Sequence, residues 1–161
     1  MAEPGDFLYA IGVGSNLGDR QAHLAAAEAA LAASGLARVV ARSALRETAP
    51  VGGPAGQGAY LNGAWLVASG LGPHQLLHLF QGIETALGRA RAVRWGARSI
   101  DLDLLLRSDG AVVASPVLTL PHPHLHERPF VLGPLAEVAP EWRHPLLGVT
   151  VAELAAKVFA G

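Results

Sequence analysis

One stretch limits this chain more than any other: Arg94-Trp95-Gly96-Ala97-Arg98-Ser99-Ile100-Asp101-Leu102-Asp103-Leu104-Leu105-Leu106. It reads as an arginine-bearing loop that runs straight into a buried strand. Alternation along a strand puts Ile100, Leu102 and Leu104 on one face and Asp101 and Asp103 on the other. The two carboxylates then sit on Cα atoms about 6.5–7 Å apart, a spacing that can grip one or two hard cations. Two like charges side by side on a strand are costly unless something positive lies between them. Arg89, Arg91, Arg94 and Arg98 supply guanidinium groups suited to bidentate contact with phosphate oxygens. Residue types alone leave two readings open. One is a site for Mg²⁺ and a polyphosphate; the other is an edge strand whose acidic face is solvated and ion-paired to the loop.

The rest of the composition narrows the class. The chain has 161 residues, 51% of them hydrophobic and 16% charged, which fits one globular domain spanning 1–161 and excludes a disordered polymer. A net charge of −1 gives no general attraction to nucleic acid or to an anionic membrane. No apolar run reaches the roughly 18–20 residues that span a bilayer, and no signal-peptide pattern opens the chain. With 0 cysteines there are no disulfides, no Cys-ligated zinc and no thiol catalysis. The expectation is a cytoplasmic, monomeric enzyme or binding domain that takes small molecules.

Along the chain, Phe7–Gly14 reads as a first buried strand. It leads into Gly12-Val13-Gly14-Ser15-Asn16-Leu17-Gly18, which lacks the spacing of a dinucleotide or P-loop fingerprint and is read as a strand-to-helix turn. Ser15 or Asn16 is expected to cap the helix that follows, with Asp19 in its first turn and Leu24, Ala27 and Leu31 facing the core up to Gly35. Leu36–Arg46 alternates as one strand, with Arg38, Arg42 and Arg46 on one face and Val39, Ala41 and Leu45 on the other. A Gly/Pro-rich loop runs from Glu47 to Gly58. The strand after it, Ala59–Ser69, carries Tyr60 and Asn62 on one face and Leu61, Trp65 and Val67 on the other. Pro73 opens a helix with Leu76, Phe80, Ile83 and Leu87 inward. After the acidic strand, Ser108-Asp109-Gly110 is expected to turn a hairpin back into Ala111–Ala114. His122, His124 and His126 alternate, but Pro121, Pro123 and Pro129 argue against a regular strand presenting all three. Leu132–Val138 and the segment behind the Thr150–Glu153 capping box read as helices. The order strand, helix, strand, strand, helix, strand predicts an α+β, ferredoxin-like βαββαβ sandwich with an added hairpin and C-terminal helices. Its helices would cover one sheet face and leave the other for a site.

Four segments in order carry a resemblance: Gly14-Ser15-Asn16-Leu17-Gly18, Tyr60-Leu61-Asn62, Arg94-Trp95-Gly96-Ala97-Arg98-Ser99-Ile100-Asp101-Leu102-Asp103, and Pro121-His122 followed by Arg128 and Phe130. On these the chain resembles the 6-hydroxymethyl-7,8-dihydropterin pyrophosphokinase family over essentially its whole length. The resemblance implies transfer of pyrophosphate from ATP to the pterin hydroxymethyl group, with release of AMP, in folate biosynthesis. It implies two Mg²⁺ ions on Asp101 and Asp103. Arg89, Arg98, Arg128 and His122 would contact phosphates, and Arg94 and Trp95 would lie on a closing catalytic loop. The pterin would stack between Tyr60 and Phe130 and be read by Asn62 and by groups around Thr48 and Val51. Gln81, Glu84, Arg91, Leu104 and Thr119 match the nucleotide side. Departures from the family pattern are an Arg89–Arg94 loop one residue short, Ala49 for a common Pro, Val117 for a basic residue and Pro123 for an aromatic. A non-catalytic ferredoxin-like ligand-binding module is the alternative, and it leaves the Asp pair and the arginine loop without a purpose.

Overall fold

A computed structural model describes residues 4–16, 18–48, 59–88 and 100–160. Val51, Arg89, Arg91, Arg94, Trp95 and Arg98 lie outside the described residues, as do the Ala49 and Arg-loop departures.

The apolar run at the start forms β1 (Phe7–Ser15), and the central helix-strand pattern follows as α1 (Arg20–Ser34), β2 (Ala37–Arg42), β3 (Arg46–Thr48), β4 (Tyr60–Ser69), α2 (Pro73–Ala86) and β5 (Asp101–Arg107). Then come β6 (Val113–Ala114), β7 (Thr119–Leu120), a single 3-10 turn at Leu125–Glu127, α3 (Pro129–Val138) and α4 (Val151–Ala160). The main sheet runs β2-β4-β1-β5, with β3 also paired to β4, and every pairing is antiparallel. With β3 set aside, the four long strands are ordered as in the βαββαβ sandwich that the sequence predicts.

Local chemistry explains most boundaries. β1 runs on through Ser15, so Ser15 and Asn16 are buried at its end and neither caps α1. Asp19 does, its Oδ1 accepting from the Ala22 amide at 3.1 Å, and Gly35 closes the helix with φ 70°. The stretch 36–46 is not one strand. A bulge between Val39 and Ala41 turns Val39 to one layer and Ala41 to the other. The three arginines consequently part: Arg38 pairs with Asp6, Arg42 with Glu28 on α1, and Arg46 with Glu137 on α3. Glu47 and Thr48 belong to β3 and not to the loop. The turn at Asp109-Gly110 forms, but Val113 and Ala114 pair with Thr119 and Leu120 instead of folding back on β5. The Thr150–Glu153 box closes in both directions and starts α4.

The sheet has helices on both faces, which corrects the expectation of a free second face. Against α1 and α2 lie Tyr9, Ile11, Val13, Leu61, Trp65, Val67, Leu102 and Leu104, packed with Leu31, Leu76 and Phe80. On the opposite face Ala10, Ala64, Leu66 and Leu105 are small or apolar, and Leu132, Leu135, Val151 and Leu154 of α3 and α4 cover them. That cover stops where the strand residues become polar or glycine.

Candidate active site

The uncovered part of the second face lies at the ends of β4, β1 and β5. Register builds it. Asn62 pairs across to Gly14, and Gly14 pairs on its other side with Asp101. One step along β1, Gly12 stands between Ala64 and Asp103. Directly opposed residues share a face, so Asn62, Asp101 and Asp103 point to the same side. Two strand spacings separate the Cα atoms of Asn62 and Asp101 by about 10 Å, with no side chain between them.

Gly14 is required there by space. A Cβ on it would lie 2.9 Å from Asn62 Oδ1 and 3.4 Å from Tyr60 Cδ1. Asn62 turns Oδ1 over this bare backbone because its Nδ2 donates to Thr48 Oγ1 on β3. Tyr60, half-buried at the start of β4, pairs in register with Thr48. Arg20 ties both flanks of residues 49–58: its guanidinium donates to the Ala59 carbonyl at 2.9 Å and bridges Glu47 at 2.6 Å.

On the β5 side, Asp101 is half-buried and Asp103 exposed, while Leu102 and Leu104 are buried beneath. His122 hangs from the outer edge of β5, its amide donating to the Leu105 carbonyl at 2.8 Å. Its Nδ1 accepts the His124 amide at 3.1 Å, so the neutral ring carries its proton on Nε2. Burial, followed by the nearby Arg128 and His124 charges, pushes the His122 pKa down to about 4. His122 is therefore an uncharged N–H donor at neutral pH. Helix α3 starts at Pro129, three residues earlier than the periodicity at Leu132 suggests, because Pro129 takes the first helical position. Phe130 is thereby held in the first turn of a helix that packs over β4, with 37% of its surface exposed. The Arg128 guanidinium lies 5.7 Å from the Phe130 ring centre.

The four described nucleotide-side candidates separate. Gln81 is exposed on α2 and Thr119 on β7. Leu104 turns into the core against α1 and α2, so its side chain does not line the open face. Glu84 is also buried, and its Oε2 accepts the Leu102 amide at 2.8 Å. His124 pairs with Glu127 at the surface, and the His126 ring meets His144 edge-on at 6.1 Å. The sequence reading missed the bare row at Gly12 and Gly14, the Arg20 tie and the brace from Glu84. The first had a signal, since glycine at every second strand position leaves one face without side chains.

A sequence profile of the 7,8-dihydro-6-hydroxymethylpterin-pyrophosphokinase family matches residues 10–140. The chain belongs to this family. It is 48% identical over 148 residues to the 2-amino-4-hydroxy-6-hydroxymethyldihydropteridine pyrophosphokinase of Methylorubrum extorquens, covering 92% of this chain and 91% of that one. It is 44% identical over 128 residues to the enzyme of the same name from Bacillus subtilis, covering 80% and 75%. Among solved structures, a Plasmodium falciparum HPPK-DHPS chain superposes with a TM-score of 0.72 at 14% identity. That match covers 96% of this chain and 46% of the other, so the chain spans less than half of that longer protein, and the likeness speaks for the fold alone. The family and its close relatives give the activity: a pyrophosphokinase that transfers a pyrophosphoryl group to 6-hydroxymethyl-7,8-dihydropterin in folate biosynthesis. No helix among the described residues is long and apolar enough to cross a membrane.

Proposed function

We propose that this pyrophosphokinase, a cytoplasmic monomer, takes ATP as its donor and binds both substrates in the uncovered groove. The pterin would lie on the β4 side and the triphosphate on the β5 side. The observation that carries this reading is the row Asn62–Gly14–Asp101, a reading group and a carboxylate separated by bare backbone. Tyr60 and Phe130 offer aromatic faces to a flat heterocycle. Asn62 Oδ1 offers an acceptor to its amino edge, with Thr48 beside it; backbone groups around Val51 would add to that reading.

Asp101 and Asp103 form an all-oxygen donor pair, which suits Mg²⁺, and the glycines beside them leave room for phosphate oxygens. Two ions bound there would supply Lewis-acid stabilisation of the reacting phosphoryl oxygens. In the reaction the pterin hydroxyl oxygen bonds to the β-phosphorus. The bond from that phosphorus to the α–β bridging oxygen breaks, AMP leaves and the hydroxyl proton is released. His122 Nε2–H, Arg128, Arg89 and Arg98 would donate to phosphate oxygens as charge moves to the leaving group. Arg91, Gln81 and Thr119 would line the nucleotide, and Arg94 and Trp95 would cover both substrates. Leu104 and Glu84 would support the nucleotide side from beneath.

The deciding assay mixes the protein with MgATP and 6-hydroxymethyl-7,8-dihydropterin and identifies the nucleotide product. Pterin-dependent AMP without ADP is expected. ADP would make the chemistry a single phosphoryl transfer, and pterin binding without turnover would favour a binding module.

A further inference from the structure

Glu84 is in an unfavourable place for a carboxylate. It is 4% exposed, on a helix that also buries Phe80 and Ile83, and it sits in the last turn of α2, the negative end of the helix dipole. A carboxylate kept there implies a task that an apolar residue cannot perform. Its Oε2 accepts the Leu102 amide at 2.8 Å. Leu102 is the residue between Asp101 and Asp103, and β5 is the edge strand of the main sheet, with no further strand of that sheet on its outer side among the described residues. Edge strands are where backbone pairing is weakest and where register and spacing drift most readily. On its inner side this segment of β5 pairs with Gly12, Val13 and Gly14, two of which have no side chain to lock the strand by packing. At the other end of β5 the outer edge is held by the His122 amide on the Leu105 carbonyl. At the Asp101–Asp103 end Glu84 holds the outer edge through the Leu102 amide.

We infer that Glu84 is a positioning residue: through the Leu102 amide it fixes the backbone between Asp101 and Asp103 and so sets the spacing of the two carboxylates. It would not touch the nucleotide or the metal itself. The inference rests on the proposed role of Asp101 and Asp103 as metal ligands. It requires an acceptor at position 84 and does not require a negative charge there.

Two substitutions separate these demands. Glu84→Gln keeps an acceptor oxygen at the same reach, whereas Glu84→Met fills a similar volume without one, so neither opens a cavity. Two readouts without turnover are needed: hydrogen exchange of the Leu102 amide in the unliganded protein, and calorimetric titration with Mn²⁺ plus α,β-methylene-ATP. Glu84→Met is expected to speed Leu102 exchange and to weaken binding of the Mn²⁺–nucleotide by about tenfold or more, while affinity for 6-hydroxymethyl-7,8-dihydropterin stays the same. Glu84→Gln is expected to restore both readouts nearly to those of the native chain. Unchanged Leu102 exchange in Glu84→Met would overturn the inference. So would a Glu84→Gln variant as weak as Glu84→Met, since the charge would then be the working feature. An equal loss of pterin affinity would reduce Glu84 to general structure and also overturn it. Asp101→Asn is the control: if it leaves Mn²⁺–nucleotide binding intact, the metal reading has failed, and the exchange data still report on the brace.

Discussion

The two halves of the second sheet face are made from the same three strands and differ only in what those strands carry. In the covered half β1, β4 and β5 present Ala10, Ala64, Leu66 and Leu105, and α3 and α4 close over them. In the open half the same strands present Gly14, Tyr60, Asn62, Asp101 and Asp103. Burying the first set removes apolar surface from water and stabilises the fold by about 25 cal/mol per Å². Covering the second set with an apolar helix would take two carboxylates and an amide out of water, a desolvation cost that the small apolar area gained over bare glycine would not offset. A sheet that is apolar at one end and bare or charged at the other thus makes its own groove. Stability and chemistry are divided between the two ends.

The division predicts opposite effects of substitution in the two halves. Asp101→Ala and Asp103→Ala should each lower turnover at saturating Mg²⁺ by on the order of a thousandfold, because each removes a ligand at the point of charge development. Neither should lower the thermal midpoint, since both side chains lie on the open face. Steady-state rates alongside a melting curve check both halves of that statement, and near-native turnover in either variant would break the comparison. Leu135→Ala, under the covered half and fully buried, should do the reverse. Its unfolding free energy should fall by about 2–5 kcal/mol in urea titration, while kcat of the remaining folded enzyme stays native.

A smaller effect comes from the histidines. His122 has its pKa pushed down to about 4 by burial, and burial also lowers that of His144. Each takes up a proton more readily unfolded than folded, so the unfolded chain binds more protons below the ordinary histidine value of about 6.5. Their contribution is complete above that pH and is lost progressively as pH falls below it, for His122 down to about 4. Urea midpoints measured from pH 7 to pH 4.5 should therefore decline, and His122→Gln should decline less. A flat native profile would contradict the buried neutral imidazole.

Much of this was legible in the sequence, for identifiable reasons. The alternation of Ile100–Leu106 and the helical spacing of Leu24, Ala27 and Leu31 are periodic signals strong enough to survive tertiary context. The Asp-x-Asp pair needed no structure to be placed on one face. What stayed hidden depends on single backbone events. The bulge at Val39–Ala41 has no residue signature and reverses which arginine faces which helix. The start of α3 was masked by the prolines on either side of Phe130, although Pro129 is itself a favoured opening residue. Glycines 12 and 14 looked like a turn because their neighbours, Ser15 and Asn16, resemble helix caps. Their purpose emerges only from the cross-strand register with Asn62 and Asp101. The burial of Glu84 could not be read from helical spacing that also admits it as a surface residue.

The open half works because β1 carries no side chain there. Gly14→Ala adds one methyl, which at 2.9 Å from Asn62 Oδ1 must push that amide off its position beside Thr48. The measurement is calorimetric titration of Gly14→Ala with 6-hydroxymethyl-7,8-dihydropterin, paired with its melting temperature. The predicted result is a loss of pterin affinity of about tenfold, the equivalent of one hydrogen bond, at an unchanged melting temperature. Native pterin affinity in that variant would contradict the claim.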